Sequence, residues 1–302
     1  MPGRYLFQRP TAETIAPAAP SAQARGHVGT LPDDTGARKP MTYATTPDGT
    51  RIAYQFQGQG APLVLLAGQA NNHHWWDAVR ADFHPARSTL TLDYRGTGDS
   101  DKPDTPCSTE LFAQDVIAVL DELGIDRADV YGTSMGGRVA QQIAARHPHR
   151  VGALVLGCTS PGGPHSVERG NDVRQALTQP QPGAARQALL ELMYTPRWLA
   201  SHPGPYHTLG DPHMPAHARR HHLAASNQHN AWDLLPDISA PTLVVHGSDD
   251  LLNPTANAPL LADRIPDARL HLVPNGRHAY FEECRTHASP LVLDFLTTAH
   301  KP

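Results

Sequence analysis

A serine hydroxyl becomes a useful nucleophile only when a base takes its proton and a third group orients that base. Three short stretches of this chain hold residues of those types. In the first, Gly132-Thr133-Ser134-Met135-Gly136-Gly137, a serine stands between glycines. It directly follows Ala128-Asp129-Val130-Tyr131, which reads as a strand, and precedes Arg138-Val139-Ala140-Gln141-Gln142-Ile143-Ala144-Ala145, which reads as a helix. A serine in a tight strand-to-helix turn is held with its Oγ exposed, and flanking glycines let the backbone bend sharply. The helix start behind it aims amide N–H groups at any negative charge that forms on the reacting group. The five-residue pattern is weak by itself, so its surroundings must carry the argument.

Two downstream stretches supply the partners. His246-Gly247-Ser248-Asp249-Asp250 leaves the apolar run Thr242-Leu243-Val244-Val245 and offers an acid, with Asp249 and Asp250 as rivals. Asn275-Gly276-Arg277-His278 leaves the last such run, Leu270-His271-Leu272-Val273, and offers a base. Serine, acid and histidine therefore arrive in one of the chain orders that acyl-transfer triads use, on loops that leave strands.

The elements that must position these residues follow an α/β rhythm from Met41 onward. Pro47-Asp48-Gly49-Thr50 predicts a turn before the strand Arg51-Ile52-Ala53-Tyr54-Gln55-Phe56, giving an antiparallel hairpin. Pro62-Leu63-Val64-Leu65-Leu66-Ala67 is continuously apolar, as a strand covered on both faces should be. Ser88-Thr89-Leu90-Thr91-Leu92-Asp93 and Ala153-Leu154-Val155-Leu156-Gly157 are further strands, and a helix is expected over 108–123 with Leu111, Val116, Val119 and Leu120 on one face. The rhythm breaks over 160–237, a stretch rich in Pro, His, Ala and Gln with no clear strand and with helices expected near 184–194 and 215–226. It resumes after Pro241, and a final helix is expected over 290–297. Residues 1–40 lack a periodic apolar face and read as a disordered extension, which leaves Met41 as a second candidate for the start of translation. The expected fold class is α/β: a mainly parallel central sheet with flanking helices, built from 41–159 and 238–302, with 160–237 inserted as a helical cap or lid.

Composition narrows the partners. With 302 residues the chain can bury a substantial core, and 25 basic against 29 acidic residues give a net charge of −4. That balance argues against nucleic acid or an acidic membrane surface as partner and leaves a small-molecule substrate. No run approaches the ~18 apolar residues of a transmembrane helix. Cys107, Cys158 and Cys284 are too few and too far apart for a disulfide framework or zinc site, and read as reduced thiols of a cytosolic, cytoplasmic protein.

These motifs together resemble the α/β-hydrolase family in its capped branch, from Met41 to about Leu296. Asp93-Tyr94-Arg95-Gly96-Thr97-Gly98-Asp99-Ser100 matches the family's Asp-x-Arg-Gly-x-Gly-x-Ser stretch, and Pro241-Thr242-Leu243 before the acid loop also matches. The stretch from Val116 to Arg150 looks like 3-oxoadipate enol-lactonases, aryl esterases and cofactor-free perhydrolases, and equally resembles carbon–carbon hydrolases and prolyl aminopeptidases, so it does not choose among them. The resemblance implies Ser134 as nucleophile, His278 as general base and Asp250 as acid, since the family's acid stands three residues after the glycine, here Gly247. It implies an oxyanion hole from the Met135 and Gln69 backbone N–H groups and no metal or organic cofactor. Two positions depart from the pattern: Ala67-Gly68 replaces the usual His-Gly, and Arg277 stands where a small residue is common.

Other residues admit two readings. His73 and His74 could reach a substrate; Trp76 is core or pocket wall; Trp198, Trp232, Leu189, Leu192 and Met193 either line a pocket from the cap or form the cap's own core. Asp93 and the stretch Arg95 to Ser100 read as bracing for the turn. His213, His217 and His221 share a helix face at spacing i, i+4, i+8, but no carboxylate accompanies them and Arg219 and Arg220 stand beside them, so a solvated face is the better reading than a metal site. The expected activity is cleavage of a carboxylic ester or lactone through an acyl-enzyme. The alternatives are a cofactor-free lyase or cyclase, a C–C hydrolase on the same fold, or a ligand-binding sensor with little turnover.

Overall fold

Proline, aspartate and glycine at 47–49 reverse the chain between β1 (Thr42–Thr45) and β2 (Arg51–Gln57), which pair antiparallel. Thr46 N–H donates to Thr50 O at 2.9 Å and Asp48 Oδ1 accepts from Thr50 N–H at 3.1 Å, closing the turn locally. The molecule is seen as a computed structural model that describes residues 41–181 and 183–300. The extension expected over 1–40 lies outside the described residues.

The remaining strands are β3 (Ala61–Leu66), β4 (Arg87–Leu92), β5 (Ala128–Thr133), β6 (Val151–Gly157), β7 (Thr242–Gly247) and β8 (Ala268–Val273). Among the described residues they form one eight-stranded sheet in the order β1-β2-β4-β3-β5-β6-β7-β8. β2 meets β4 antiparallel, and every pair beyond β4 is parallel. Every residue of β4, β5, β6 and β7 is buried; β6 accordingly reads as a continuous apolar run, whereas β4 also buries Arg87, Ser88, Thr89 and Thr91. Because β5, β6, β7 and β8 run parallel side by side, the loops after β5, β7 and β8 leave from one edge of the sheet, and those loops carry Ser134, Asp250 and His278.

Helices α1 (Arg80–Phe83), α2 (Thr109–Glu122) and α3 (Met135–Arg146) alternate with the first strands. The Ser108 hydroxyl caps α2, accepting Leu111 N–H at 3.0 Å. Its buried face carries Phe112, Val116, Val119 and Leu120; Leu111, expected there, is half-buried because the face runs i, i+4, i+7, i+8 from Phe112. Between β6 and β7 lie α4 (Asn171–Leu177), α5 (Ala184–Met193), α6 (Pro196–Leu199) and α7 (Ala216–Asn227). The pattern pointed to α5 and α7 but not to α4 and α6, which span too few turns for a periodic face to show. The chain ends with α8 (Asn257–Arg264), α9 (Tyr280–Glu283) and α10 (Arg285–Thr298). α10 begins at Arg285 rather than Pro290, so that proline stands inside the helix and forgoes one backbone bond. The three cysteines are unpaired, and no helix of the described residues is long and apolar enough to cross a membrane.

Candidate active site

Ser134 follows β5 and precedes α3 with φ 55° and ψ −122°, a backbone conformation that side-chain-bearing residues rarely adopt. Such strain costs on the order of 1–3 kcal/mol and persists only where the surroundings hold it. Here Ser134 N–H donates to Gly157 O at 2.9 Å, while Ser134 O accepts from Gly137 N–H at 3.1 Å and from Thr159 Oγ1 at 2.7 Å. The turn also needs its glycines. A Cβ on Gly132 would stand 2.2 Å from Gly136 O, and one on Gly136 would stand 2.2 Å from Leu66 O of β3. With those contacts made by backbone alone, Ser134 is left partly exposed between buried neighbours.

Beyond β7 and β8, the acid and base loops pack against each other. Asp249 N–H donates to Gly276 O at 2.9 Å and Asn275 N–H to Ser248 Oγ at 2.8 Å. Asp250 and His278 are both buried, and His278 Nδ1 lies 2.8 Å from Asp250 Oδ2. Asp249 is exposed and accepts from Ser248 Oγ, so Asp250 is the carboxylate set against the imidazole. Burial alone would push the Asp250 carboxyl up; the His278 and His246 rings outweigh it and hold the group well below the ordinary carboxylate range. An ionised Asp250 can only accept, so His278 Nδ1 donates, and Nε2 is the ring nitrogen left to take a proton.

The loop after β3 supplies a third part. Ala70 has φ 58°, and the turn is tied to residues ahead of α7: Asp211 N–H donates to Ala70 O at 2.7 Å and Gly210 N–H to Asn71 Oδ1 at 2.8 Å. Gln69 O accepts from Asn71 Nδ2 at 2.8 Å. Among the described residues outside regular helix and strand bonding, no acceptor takes the N–H of Gln69 or of Met135. Trp75, which the sequence reasoning passed over, braces both sides: its Nε1–H donates to Thr133 Oγ1 at 2.9 Å and its indole lies against Gly68.

The side chains considered for the substrate pocket are placed differently. Trp76 is fully buried core, with ring centroids 5.0 Å from Tyr131 and 5.4 Å from Phe281, the first of its two readings. His73 is buried, its Nδ1 2.8 Å from Asp93 Oδ1, which also takes His73 N–H at 2.7 Å; this pair pins the loop to the scaffold. His74 is half-exposed and its Nδ1 lies 2.6 Å from Asp77 Oδ2. Trp232 is held between His165, stacked at 4.3 Å, and the Arg264 guanidinium at 4.4 Å. Trp198 stacks on Tyr194 at 4.3 Å and on His202 at 4.1 Å and packs against the main hydrophobic core, to which Tyr194 belongs. The Asp93 to Ser100 stretch braces the turn: Arg95 is buried and grips Asp115 at 2.6 and 2.8 Å and Asp48 at 2.7 Å. On α7, His217 Nε2 meets Lys102 O at 3.0 Å and His221 meets Asp104 at 2.7 Å, while the described residues hold no cluster suited to a metal.

Segment 191–195, in the stretch between β6 and β7, grips the loop after β8. Ala279 N–H donates to Met193 O at 2.9 Å, and Arg277 donates to Glu191 O and, at 3.2 Å, to Tyr194 O. Tyr194 OH donates to Glu282 at 2.5 Å and Thr195 N–H to Glu283 at 3.0 Å. Beside this seam lies a groove of about 240 Å³ whose lining includes Val173, Ala188, Leu192, Leu251, Asp249 and Arg277. Of the cap residues considered for a pocket, Leu192 reaches this groove.

The sequence profile of the alpha/beta hydrolase fold matches residues 61–283, which span the elbow, the acid loop and the base loop. The chain belongs to the α/β-hydrolase family. Among relatives of this α/β hydrolase, a Variovorax paradoxus protein provisionally named carbamate hydrolase RutD is 30% identical over 261 residues, covering 83% of this chain and 98% of the relative. The 2-hydroxymuconate semialdehyde hydrolase of Pseudomonas sp. strain CF600 is 30% identical over 268 residues, covering 83% of this chain and 92% of its own. Two solved structures superpose well. The enol-lactonase of Burkholderia xenovorans LB400 does so with a TM-score of 0.74 and 26% identity, over 85% of this chain and 100% of that one. Est816, described as an N-acyl homoserine lactone degrading enzyme, does so with a TM-score of 0.70 and 32% identity, over 84% and 100%.

Proposed function

We propose that the protein is a serine hydrolase of small to medium carboxylic esters or lactones, with Ser134 as nucleophile, His278 as general base and Asp250 as its orienting acid. The observation that carries this reading is the strained, backbone-held Ser134 at the same sheet edge as a buried Asp250–His278 pair with Nε2 left to act. Ser134 Oγ attacks the acyl carbon as its proton passes to His278 Nε2. The Gln69 and Met135 amides hold the oxyanion, an interaction worth roughly 3–4 kcal/mol per donor in related chemistry. The C–O bond to the leaving group then breaks and His278 returns the proton to that oxygen. Water, deprotonated by the same nitrogen, next cleaves the acyl-enzyme and regenerates the serine.

The stretch 160–237 acts in this reading as a lid over the core formed by 41–159 and 238–302. Lactonase and esterase neighbours favour an ester or lactone substrate. The carbamate and semialdehyde hydrolases among the relatives make carbamates and C–C bonds beside a carbonyl the comparison substrates. Intact mass after treatment with a fluorophosphonate, wild type beside Ser134→Ala, tests the mechanism. One adduct on the wild type and none on the variant is expected; an unlabelled, folded wild type or ester turnover by Ser134→Ala overturns it. Hydrolysis of esters and lactones at least tenfold faster than of carbamates or vinylogous diketones is expected in the panel that follows.

A further inference from the structure

The carboxylate beneath His278 serves a second imidazole. His246 is fully buried near the end of β7, and its Nε2 lies 2.8 Å from Asn253 O and 3.2 Å from Asp250 Oδ2, the same oxygen that His278 Nδ1 reaches at 2.8 Å. A carbonyl oxygen only accepts, so the hydrogen of His246 sits on Nε2 and is shared between Asn253 O and Asp250 Oδ2. His246 Nδ1 is buried with no partner among the described residues. A ring placed for packing alone would not need its one donor aimed at this pair of oxygens. The other carboxylate oxygen, Oδ1, accepts Asn253 N–H at 2.9 Å, and Asn253 is itself held by Cys158 O at 2.7 Å and by Asn257 at 3.2 Å. Asn257 in turn exchanges two 2.8 Å bonds with the Val167 backbone of the cap region.

We propose that His246 is a positioning residue for the acid of the triad: its Nε2–H anchors Asp250 Oδ2 beneath His278 Nδ1 and partly neutralises that oxygen, setting how strongly it binds the imidazolium. This rests on the triad reading above. A carboxylate that already accepts a hydrogen bond on one oxygen is a weaker acceptor for the next, so His246 tempers the basicity of His278 while fixing its geometry.

The test normalises rates to sites labelled by fluorophosphonate, so misfolded protein does not count. His246→Met keeps volume but removes the donor; kcat per labelled site should fall about tenfold with KM within about twofold, and the acid limb of kcat/KM should move up by about half a pH unit. His246→Gln keeps an N–H of similar reach and should restore kcat to within about threefold of wild type. A loss of packing alone would lower the labelled fraction and leave the acid limb in place. Should His246→Met fail to fold, nitrogen-15 histidine spectra of the wild type decide: a hydrogen on His246 Nε2 whose resonance moves in Asp250→Asn is expected. A hydrogen on Nδ1, no response to Asp250→Asn, or an unshifted acid limb with full kcat overturns the proposal. Absence of Ser134 labelling in the wild type overturns the triad reading instead, and the histidine spectra still show whether His246 holds Asp250.

Discussion

Replacing Asp250 with asparagine should remove most of the activity while leaving the fold intact, and the reason lies in the count of donors. Three N–H groups converge on this side chain: Asn253 N and His278 Nδ1 at 2.9 and 2.8 Å, and His246 Nε2 at 3.2 Å. A carboxylate can accept all three, whereas an amide has one acceptor oxygen and two donor hydrogens. If that oxygen stays with Asn253 N–H, the amide NH₂ faces His278 Nδ1, and the imidazole must move its hydrogen to Nε2 to accept. In the proposed triad Nε2 is then unable to take the serine proton. If the amide flips, NH₂ meets Asn253 N–H instead. The wrong tautomer lowers kcat by on the order of 10³–10⁴, about 4–5.5 kcal/mol at 1.36 kcal/mol per decade.

Stability should drop as well, by about 1–3 kcal/mol for the buried donor left unpaired. That difference has a pH signature. The folded-state carboxyl of Asp250 is held below its unfolded value, so its stabilisation is fully present above the unfolded value of ~3.9 and is lost as pH falls through the lower folded one. The gap between wild type and Asp250→Asn should therefore be constant near neutrality and narrow only in acid. Single-turnover kinetics with an activated ester, with urea melts at several pH values, read both effects. A kcat within tenfold of wild type on folded protein would refute the argument from tautomer control.

Two other perturbations concern the segment between β6 and β7. Arg277→Ala removes the cation that Glu191 O and Tyr194 O share at the end of α5, so the backbone amide of Ala279, bonded to Met193 O, should exchange with deuterium at least about tenfold faster; unchanged protection would show that the arginine does not hold the base loop. His222, buried on α7 with Nε2 2.8 Å from Arg95 O, is pushed down to about 4 by burial, so the unfolded chain binds a proton there that the folded chain refuses. Stability should fall as pH drops from ~6.5 toward 4, and His222→Gln, which cannot take that proton, should flatten this loss in urea melts at pH 7 and pH 5.

The histidines at 213, 217 and 221 illustrate what spacing alone leaves open. The expected shared helix face is wrong at His213, which lies in the turn before α7 with its N–H on Asp211 Oδ1, while His217 and His221 clip the helix to the Lys102 to Asp104 loop. The pocket candidates were open for a related reason: an aromatic or imidazole ring reads the same whether it faces a ligand or a core, and Trp76, Trp232 and His73 pack against protein.

By itself the sequence determined the alternation of elements, the turn that holds Ser134, and the chain order in which a serine, an acid loop and a histidine leave their strands. These are local matters, written in apolar runs, glycines and short spacings that act within a few residues. It did not place His246 and Asn253 around Asp250, Trp75 between Gly68 and Thr133, or segment 191–195 against the base loop. The Trp75–Thr133 contact and those of segment 191–195 join residues tens of positions apart, while the local contacts of His246 and Asn253 with Asp250 form only because the chain after the buried strand β7 turns Asp250 into the interior. The tertiary structure decided which of two adjacent aspartates meets the imidazole, since the backbone path after Gly247 turns one carboxylate into the interior and leaves the other in water.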